Sequence, residues 1–167
     1  MELSYRKALP VDITEIVLLV KEAIVELEKN KIMQWDELYP VREDFWEDIQ
    51  KNQLFVGCVR SRIAVLFVIN QECDAEYACG AWREPEKPFA VLHRLCVHPE
   101  FQHKGIAKQA LYYAEKLALA VGKQAVRLDV YSDNPYAVSL YLSCGYQKTG
   151  MVEWRKGTFY LMEKYLD

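Results

Sequence analysis

The residues that decide the fold are Gln102-His103-Lys104-Gly105-Ile106-Ala107, which follow an apolar segment at 91–97. Directly after them, apolar residues recur over 106–121 with the spacing of an amphipathic helix, which Gly122 closes. A strand, a short glycine-containing loop and a helix start place free backbone N–H groups at the positive end of the helix dipole. Such an end binds phosphate, and Gly105 lets a ligand approach the backbone closely. We therefore expect a phosphate site over residues 102–107.

The loop differs from two better-known phosphate-binding motifs. It has no Gly-Lys-Ser/Thr triplet, so it is not a P-loop, and it lacks the three glycines of a dinucleotide fingerprint. Lys104 and Lys108 lie where a cation opposes the helix dipole unless an anion is bound. The alternative interpretation is a solvated turn with incidental lysines.

The composition is that of a folded protein with balanced charge. The chain has 167 residues, 51% of them hydrophobic and 27% charged, with a formal net charge of −3. We expect one domain over residues 1–167 that needs no metal or disulfide, and no binding to nucleic acid or a membrane. The five cysteines lack C-x-x-C spacing, which favours reduced thiols. Because residues 1–7 lack an apolar signal core and the longest apolar run is strand-sized, we expect a cytoplasmic protein.

The remaining patterns predict an α/β fold. Strands are expected at 3–8, 54–59, 63–69, 90–97, 125–131, 146–154 and 158–165. Helices are expected at 13–27, capped by Asp12, at 42–51, at 106–121, and from the N-cap Asn134 to near Gly145. Residues 71–88 are typical of a polar insertion. The order β-α-α-β-β-β-α-β-α-β-β predicts a central, mostly antiparallel mixed sheet flanked by helices.

Several motifs together resemble the GNAT N-acetyltransferase superfamily, in particular its bacterial-type members. They are Leu95-Cys96-Val97-His98-Pro99, Gln102-His103-Lys104-Gly105-Ile106-Ala107, Asn134-Pro135-Tyr136-Ala137, Tyr141 and Gly145-Tyr146. The loop is similar to the family's Arg/Gln-x-x-Gly-x-Gly/Ala signature, with its Gln and Ala options. The predicted order of elements also resembles the family along nearly the whole chain, although residues 71–88 exceed the usual connection.

The resemblance implies transfer of an acetyl group from acetyl-coenzyme A to an amine, by direct attack in a ternary complex without a metal. Main-chain groups of one strand segment would pair with the pantetheine arm: Leu95, Cys96 and Val97. The loop and the residue after it would hold the pyrophosphate: Gln102, His103, Lys104, Gly105, Ile106, Ala107 and Lys108. Asn134 would bond the coenzyme arm, and Tyr141 would face the departing sulfur as general acid. Cys96 keeps a ping-pong route open as a minor alternative.

The amine must be neutral before it attacks, and about one alkylamine molecule in 10³ is neutral at pH 7. A general base, or a water chain leading to one, is therefore expected. His93, Glu72 and Glu76 are the candidates, and the sequence does not choose among them. His98 and His103 are expected at the surface, where His103 could face a coenzyme phosphate.

The acceptor site is expected between the first two helices and the central strands. Trp35, Tyr39 and Glu76 are its candidate contacts, and further aromatic residues could line it: Trp46, Tyr77 and Trp82. The acidic residues of 71–88 favour a small, basic or polyamine-like amine. For each aromatic residue, the alternative is that it anchors a loop.

Other functions and assemblies stay open at this point. The runners-up are a protein N-terminal or lysine acetyltransferase, and a non-catalytic acyl-coenzyme A sensor with the same fold. A homodimer paired through the apolar C-terminal hairpin is a further hypothesis.

Overall fold

The computed structural model of the protein describes residues 2–167 and shows a seven-stranded mixed sheet with four α-helices in that part of the chain. The strands run in the order β1-β2-β3-β4-β5-β7-β6 across the sheet. The bounds of the strands are β1 (Ser4–Lys7), β2 (Leu54–Val59), β3 (Arg62–Asn70), β4 (Phe89–Val97), β5 (Ala125–Tyr131), β6 (Gln147–Trp154) and β7 (Gly157–Tyr165). The helices are α1 (Ile13–Lys29), α2 (Arg42–Gln50), α3 (Ile106–Ala120) and α4 (Pro135–Ser143). The predicted fold class and order of elements are confirmed.

The described residues form two compact units. The first unit comprises the segment that ends at Ile69 together with Arg94–Leu111, and we call it the N-unit. The second, called the C-unit, comprises Asn70–His93 and Tyr112–Asp167. The expectation of one domain over residues 1–167 stays a prediction.

The core of the N-unit lies between two antiparallel strand pairs and the apolar faces of α1 and α2. Strand β2 pairs with both β1 and β3 in antiparallel register. Residues spaced three or four apart on the helices meet residues from every second position of the strands, as their periodicities require. The buried cluster includes Ile16, Leu19, Val20, Ala23, Phe45, Ile49, Leu54, Val56, Leu66 and Val68.

The prediction that Asp12 caps α1 is wrong in one respect. Asp12 does occupy the position before the helix, but its side chain makes no capping hydrogen bond there. It closes a 3-10 turn at Pro10–Asp12, and its helical φ and ψ of −79° and −13° aim the carboxylate back into that turn. The carboxylate accepts from the Leu9 amide at 2.7 Å and from both terminal nitrogens of Arg6 at 2.7 and 2.9 Å.

The C-unit is built from β5, β6 and β7 with the first half of β4. Strand β7 pairs antiparallel with β5 along its length and with β6. The parallel register of β4 with β5 covers three pairs, from Phe89 with Ala125 to Val91 with Arg127. Helix α4 is closed by Gly145 at φ +92°, a conformation that favours glycine, and the Tyr146 amide donates to the Tyr141 carbonyl at 3.0 Å.

Candidate active site

The loop before α3 leaves its main chain open to a ligand. Gly105 has φ +74°, and a Cβ at that position would meet nothing within 4 Å. The Gln109 amide donates to the Gly105 carbonyl at 3.2 Å, so the helical ladder starts there. The amides of Ile106, Ala107 and Lys108 precede that bond and lie at the positive pole of α3. This arrangement suits an anion that approaches the backbone.

Two side chains of the loop hydrogen-bond to main-chain carbonyls that precede it. The Gln102 amide nitrogen donates to the Val97 carbonyl at 3.2 Å, and the Lys104 ammonium donates to the Glu100 carbonyl at 2.7 Å. Ile106 is buried and fixes the first turn of α3, whereas Lys108 is exposed. That main-chain N–H groups of the loop and the Lys108 side chain contact a phosphate stays a prediction.

Strand β4 turns its cysteine inward. Cys96 is 5% exposed and belongs to the buried cluster of the N-unit, while Leu95 and Val97 are half-buried. Burial raises the pKa of the Cys96 thiol to about 12. A thiol in that state is protonated at neutral pH and is a poor nucleophile, which argues against the ping-pong alternative.

The expectation that His98 lies at the surface is wrong, because the residue is buried and its side chain is 11% exposed. Its Nδ1 accepts from the Glu100 amide at 3.2 Å, and its Nε2 lies 3.1 Å from a carboxylate oxygen of Glu22. Nδ1 therefore carries no proton, and Nε2 is the donor to Glu22. His98 is the N-cap of the short 3-10 helix Pro99–Phe101 and leads the chain into the loop. His103 is exposed, as expected.

Asn134 begins α4 as predicted. Its side-chain oxygen accepts from the Ala137 amide at 3.1 Å, and Pro135 takes the first helical position. The side chain is buried, with 7% exposure. The contact between Asn134 and the coenzyme arm remains a prediction.

Tyr141 is buried in the C-unit. Its ring is 8% exposed and meets the ring of Tyr146 edge to face, with centroids 5.7 Å apart. Among residues 2–167, none forms a hydrogen bond with the Tyr141 hydroxyl. Burial raises the pKa of Tyr141 far above its usual value, and the negative charge of Asp129 adds to this effect. The hydroxyl is therefore protonated at neutral pH.

The partner ring of Tyr146 is itself fixed by an ion pair. The Tyr146 hydroxyl donates to one carboxylate oxygen of Glu115 at 3.1 Å, and Lys164 donates to the other at 2.8 Å. Glu115 and Tyr146 are both buried. The position of the Tyr141 ring thus depends on a hydrogen-bonded network behind it.

His93 contacts the main chain of Glu72, another candidate base. Its Nε2 lies 2.8 Å from the Asn70 side-chain oxygen and 2.9 Å from the main-chain carbonyl of Glu72. Because both partners are acceptors, Nε2 is the donor to them. Glu72 and Glu76 are exposed, and Glu76 lies in the 3-10 helix Ala75–Cys79. The three side chains remain candidates.

Residues 71–88 are anchored to the C-unit by aromatic side chains. The Tyr77 hydroxyl donates to Asp129 at 2.7 Å, and the indole of Trp82 donates to the Tyr77 carbonyl at 2.8 Å. The guanidinium of Arg127 lies 4.4 Å from the Trp82 ring centroid and 3.9 Å from that of Phe89. Tyr77 and Trp82 therefore act as loop anchors in this structure. The sequence signal for this network was the pair of charged residues Arg127 and Asp129, two positions apart in the otherwise apolar strand β5.

In the N-unit, the connection between α1 and α2 carries two of the three predicted acceptor residues, Trp35 and Tyr39. Trp35 packs against the buried cluster, and Tyr39 is 39% exposed. The Tyr39 hydroxyl accepts from Arg94 at 2.8 Å, and Arg94 also forms two hydrogen bonds to Asp48, at 2.9 and 2.7 Å. Burial raises the pKa of Asp48, and the charge of Arg94 opposes that effect. Sequence reasoning missed this pair, although Asp48 between the core residues Phe45 and Ile49 was a signal.

Two further features bear on the kind of site. Among residues 2–167, no cluster of three or more histidine, cysteine, aspartate or glutamate side chains is arranged to hold a metal ion. None of the described helices combines the length and the apolar character that a membrane crossing requires.

Comparison with known proteins places the chain in a family. The family model described as the acetyltransferase (GNAT) family matches residues 22–146, and the chain belongs to that family. A GNAT-family acetyltransferase from Streptococcus agalactiae superposes with a TM-score of 0.88 at 25% identity, over 99% of this chain and 96% of that one. The resemblance stated from the motifs is thereby confirmed.

Two proteins from Thermoplasma acidophilum are also similar. A spermidine N(1)-acetyltransferase is 37% identical over 75 residues, which is 45% of this chain and 44% of that protein. The PaiA N-acetyltransferase in complex with coenzyme A has a TM-score of 0.73 at 21% identity, over 99% of this chain and all of that one, and so shares the fold. The chain spans less than half the length of the curated relatives it matches.

Proposed function

We propose that the protein is an N-acetyltransferase that moves an acetyl group from acetyl-coenzyme A to a primary amine by direct attack in a ternary complex. The observation that carries this proposal is the open main chain at Gly105, followed at once by the amides of the first turn of α3. Membership of the acetyltransferase family supports it. The cytoplasm is the compartment we expect.

The residues at the start of α3 fit a pyrophosphate group. A side chain at position 105 would stand in the open space above the helix pole, and glycine leaves that space clear. We propose that the coenzyme is held by Leu95, Cys96 and Val97 through their main chain, by Gln102, His103, Lys104, Gly105, Ile106, Ala107 and Lys108, and by Asn134. The bound coenzyme supplies the acetyl group as a thioester.

Tyr141 is proposed as the general acid toward the departing sulfur. With reference pKa values of about 10 for tyrosine and 8.5 for a thiol, complete proton transfer is uphill by about 2 kcal/mol. Burial raises the pKa of Tyr141 further and makes full transfer harder. We therefore expect a hydrogen bond that strengthens as negative charge develops on sulfur, which is how preorganised donors act.

His93 is proposed as the general base for the acceptor. An alkylamine with a pKa near 10.4 carries a handicap of about 4 to 5 kcal/mol at pH 7, because its ammonium form must lose a proton. The His93 imidazole would take that proton, directly or through water. Glu72 and Glu76, which follow strand β3, are the alternatives.

A small basic amine is the proposed acceptor, with Trp35, Tyr39 and Glu76 as contacts. The similarity to a spermidine N(1)-acetyltransferase supports a polyamine-like acceptor, as do the exposed acidic residues between strands β3 and β4. A protein N-terminus or lysine is the alternative acceptor. We further propose that two copies could pair through the C-terminal hairpin as a homodimer.

The competing function is a non-catalytic acyl-coenzyme A sensor. The presence of Tyr141 argues against it, because a protein that only binds the coenzyme has no need of a proton donor toward the departing sulfur. Turnover with any amine excludes the sensor. Binding without turnover across a broad amine panel would favour it.

The test is Tyr141→Phe, with Tyr136→Phe as the matched control on the same helix. Tyr136 is 61% exposed, so its variant should behave like the native protein. Removal of a general acid costs about 10²- to 10⁴-fold in rate, so Tyr141→Phe should lower kcat on that scale and leave the coenzyme Kd unchanged. An unchanged kcat removes Tyr141 from the mechanism.

A further inference from the structure

Arg94 has a backbone conformation that its side chain does not favour. Its φ of +51° lies in the left-handed region, within strand β4. Residues other than glycine seldom occupy that region, and they remain there only where their surroundings hold them. The observation calls for contacts strong enough to fix this residue.

Those contacts come from helix α2. Nε and Nη2 of Arg94 donate to the two carboxylate oxygens of Asp48 at 2.9 and 2.7 Å, a bidentate pair with fixed geometry. The side chain of Asp48 is 7% exposed and that of Arg94 is 15% exposed. Because either charge alone would be buried without compensation, the pair holds the guanidinium in one orientation.

The orientation of the guanidinium leaves Nη1 directed at Tyr39. Nη1 donates to the Tyr39 hydroxyl at 2.8 Å. The backbone of the same residue is fixed by Asp36, whose side chain accepts from the amides of Leu38 and Tyr39 at 3.0 and 3.2 Å. A 39%-exposed aromatic ring is thus held at its backbone and at its hydroxyl.

We infer that Arg94 is a positioning residue of the acceptor site: it holds Tyr39 so that the exposed ring receives the amine, and thereby sets acceptor affinity. Arg94 has this role only if the proposed acetyltransferase function holds. The positive charge of Arg94 is neutralised by Asp48. Arg94 therefore does not repel a cationic acceptor that binds at the Tyr39 ring.

The first test is Tyr39→Phe, which keeps the ring and removes the hydroxyl. A hydrogen bond to a charged group is worth about a factor of ten or more in an equilibrium constant, so the acceptor KM should rise about tenfold. The coenzyme Kd should stay as in the native protein, and the melting temperature should fall by only a few degrees, as loss of one hydrogen bond implies. Arg62→Met is the control, since it breaks an exposed ion pair with Glu100 in the same unit.

The second test replaces the pair itself, with Arg94→Met and Asp48→Leu in one protein. Apolar replacement of both partners generally preserves stability, whereas loss of one partner does not. The double variant should show the same rise in acceptor KM, and adding Tyr39→Phe to it should raise KM no further. If the Arg94–Asp48 pair only stabilised the fold, the acceptor KM would be unchanged in the double variant, with or without Tyr39→Phe. That result would overturn the inference.

A readout independent of the acceptor separates this inference from the proposed function. Trypsin can cut after Lys31, which is exposed at the start of the same connection. Tyr39→Phe and the double variant should be cut faster there than the native protein and Arg62→Met. If no amine is acetylated, the proposed function fails; if cleavage is also unchanged, the positioning of Tyr39 by Arg94 fails as well.

Discussion

Replacement of Gly105 by glutamate tests the phosphate-binding pole of α3. Gly105 is exposed, its φ is +74°, and a Cβ there would meet no atom within 4 Å. A side chain in the left-handed region costs about 1–2 kcal/mol, and a carboxylate at the helix N-terminus recovers about 0.3–1 kcal/mol of that. Since folded domains are stable by about 5–15 kcal/mol, the variant should fold.

The expected effect on the coenzyme is much larger. Two like charges about 4 Å apart repel by about 4 kcal/mol at an effective dielectric constant of 20. A repulsion of that size corresponds to a loss of roughly 10³-fold in affinity. Gly105→Glu should therefore abolish measurable binding of acetyl-coenzyme A while the fold is retained.

The opposite end of the same helix provides the matched control. Gly122 has φ +78°, is exposed, and also has no atom within 4 Å of a Cβ. Gly122→Glu places the same charge at the negative pole of α3, where the dipole disfavours it by about 0.3–1 kcal/mol. Gly122→Glu should thus be the less stable variant and yet bind acetyl-coenzyme A normally. Titration calorimetry and thermal melts measure both properties. Micromolar binding by Gly105→Glu, or equal loss in the two variants, would refute the phosphate-loop reasoning.

Three further predictions concern stability and reactivity. Tyr146→Phe takes one donor from the buried carboxylate of Glu115 and should cost about 1–3 kcal/mol in urea unfolding; an unchanged midpoint would show that the hydrogen bond adds nothing. The hydrogen bond from Arg6 lowers the pKa of Asp12 in the folded protein below its ordinary 3.8. The ionised Asp12 carboxylate therefore stabilises the fold above pH 3.8, and this stabilisation is lost as the pH falls through the lowered pKa. The gap in urea midpoint between the native protein and Asp12→Asn should accordingly be constant near neutral pH and shrink below pH 3.8, and a gap that widens in acid would contradict this sign. Cys96, whose pKa burial raises to about 12, should resist iodoacetamide until the protein unfolds, whereas mass spectrometry should find the two exposed cysteines modified first.

Local signals predicted the elements of the fold well. The apolar periodicity of 106–121 and Gly122 after it gave α3, which ends at Ala120. Asn134 and Pro135 gave the start of α4, because a capping side chain followed by proline is a sequence-local signal. The prediction for Asp12 was wrong because its carboxylate forms hydrogen bonds within a 3-10 turn just before α1. Such a short turn produces no periodic pattern in the sequence.

Contacts between residues far apart in the chain could not be predicted in this way. His98 was expected at the surface, but it is buried and has Glu22 as a partner. The pair of Arg94 and Asp48 joins positions 46 residues apart. A contact over that separation leaves no local pattern in the sequence. The local pattern predicted a phosphate site over residues 102–107, whereas the role proposed for Tyr141 came from the family resemblance, because neither composition nor periodicity could assign it.

The measurement that tests the central claim most directly is amine-dependent release of free thiol from acetyl-coenzyme A by the native protein, with mass spectrometry of the amine. The panel should include spermidine, simple alkylamines, and peptides with a free N-terminus or a lysine. We predict that thiol release requires an amine and that the mass of that amine increases by one acetyl group. The rate should be highest with a small basic acceptor. Bound acetyl-coenzyme A without thiol release for any member of the panel would contradict this prediction.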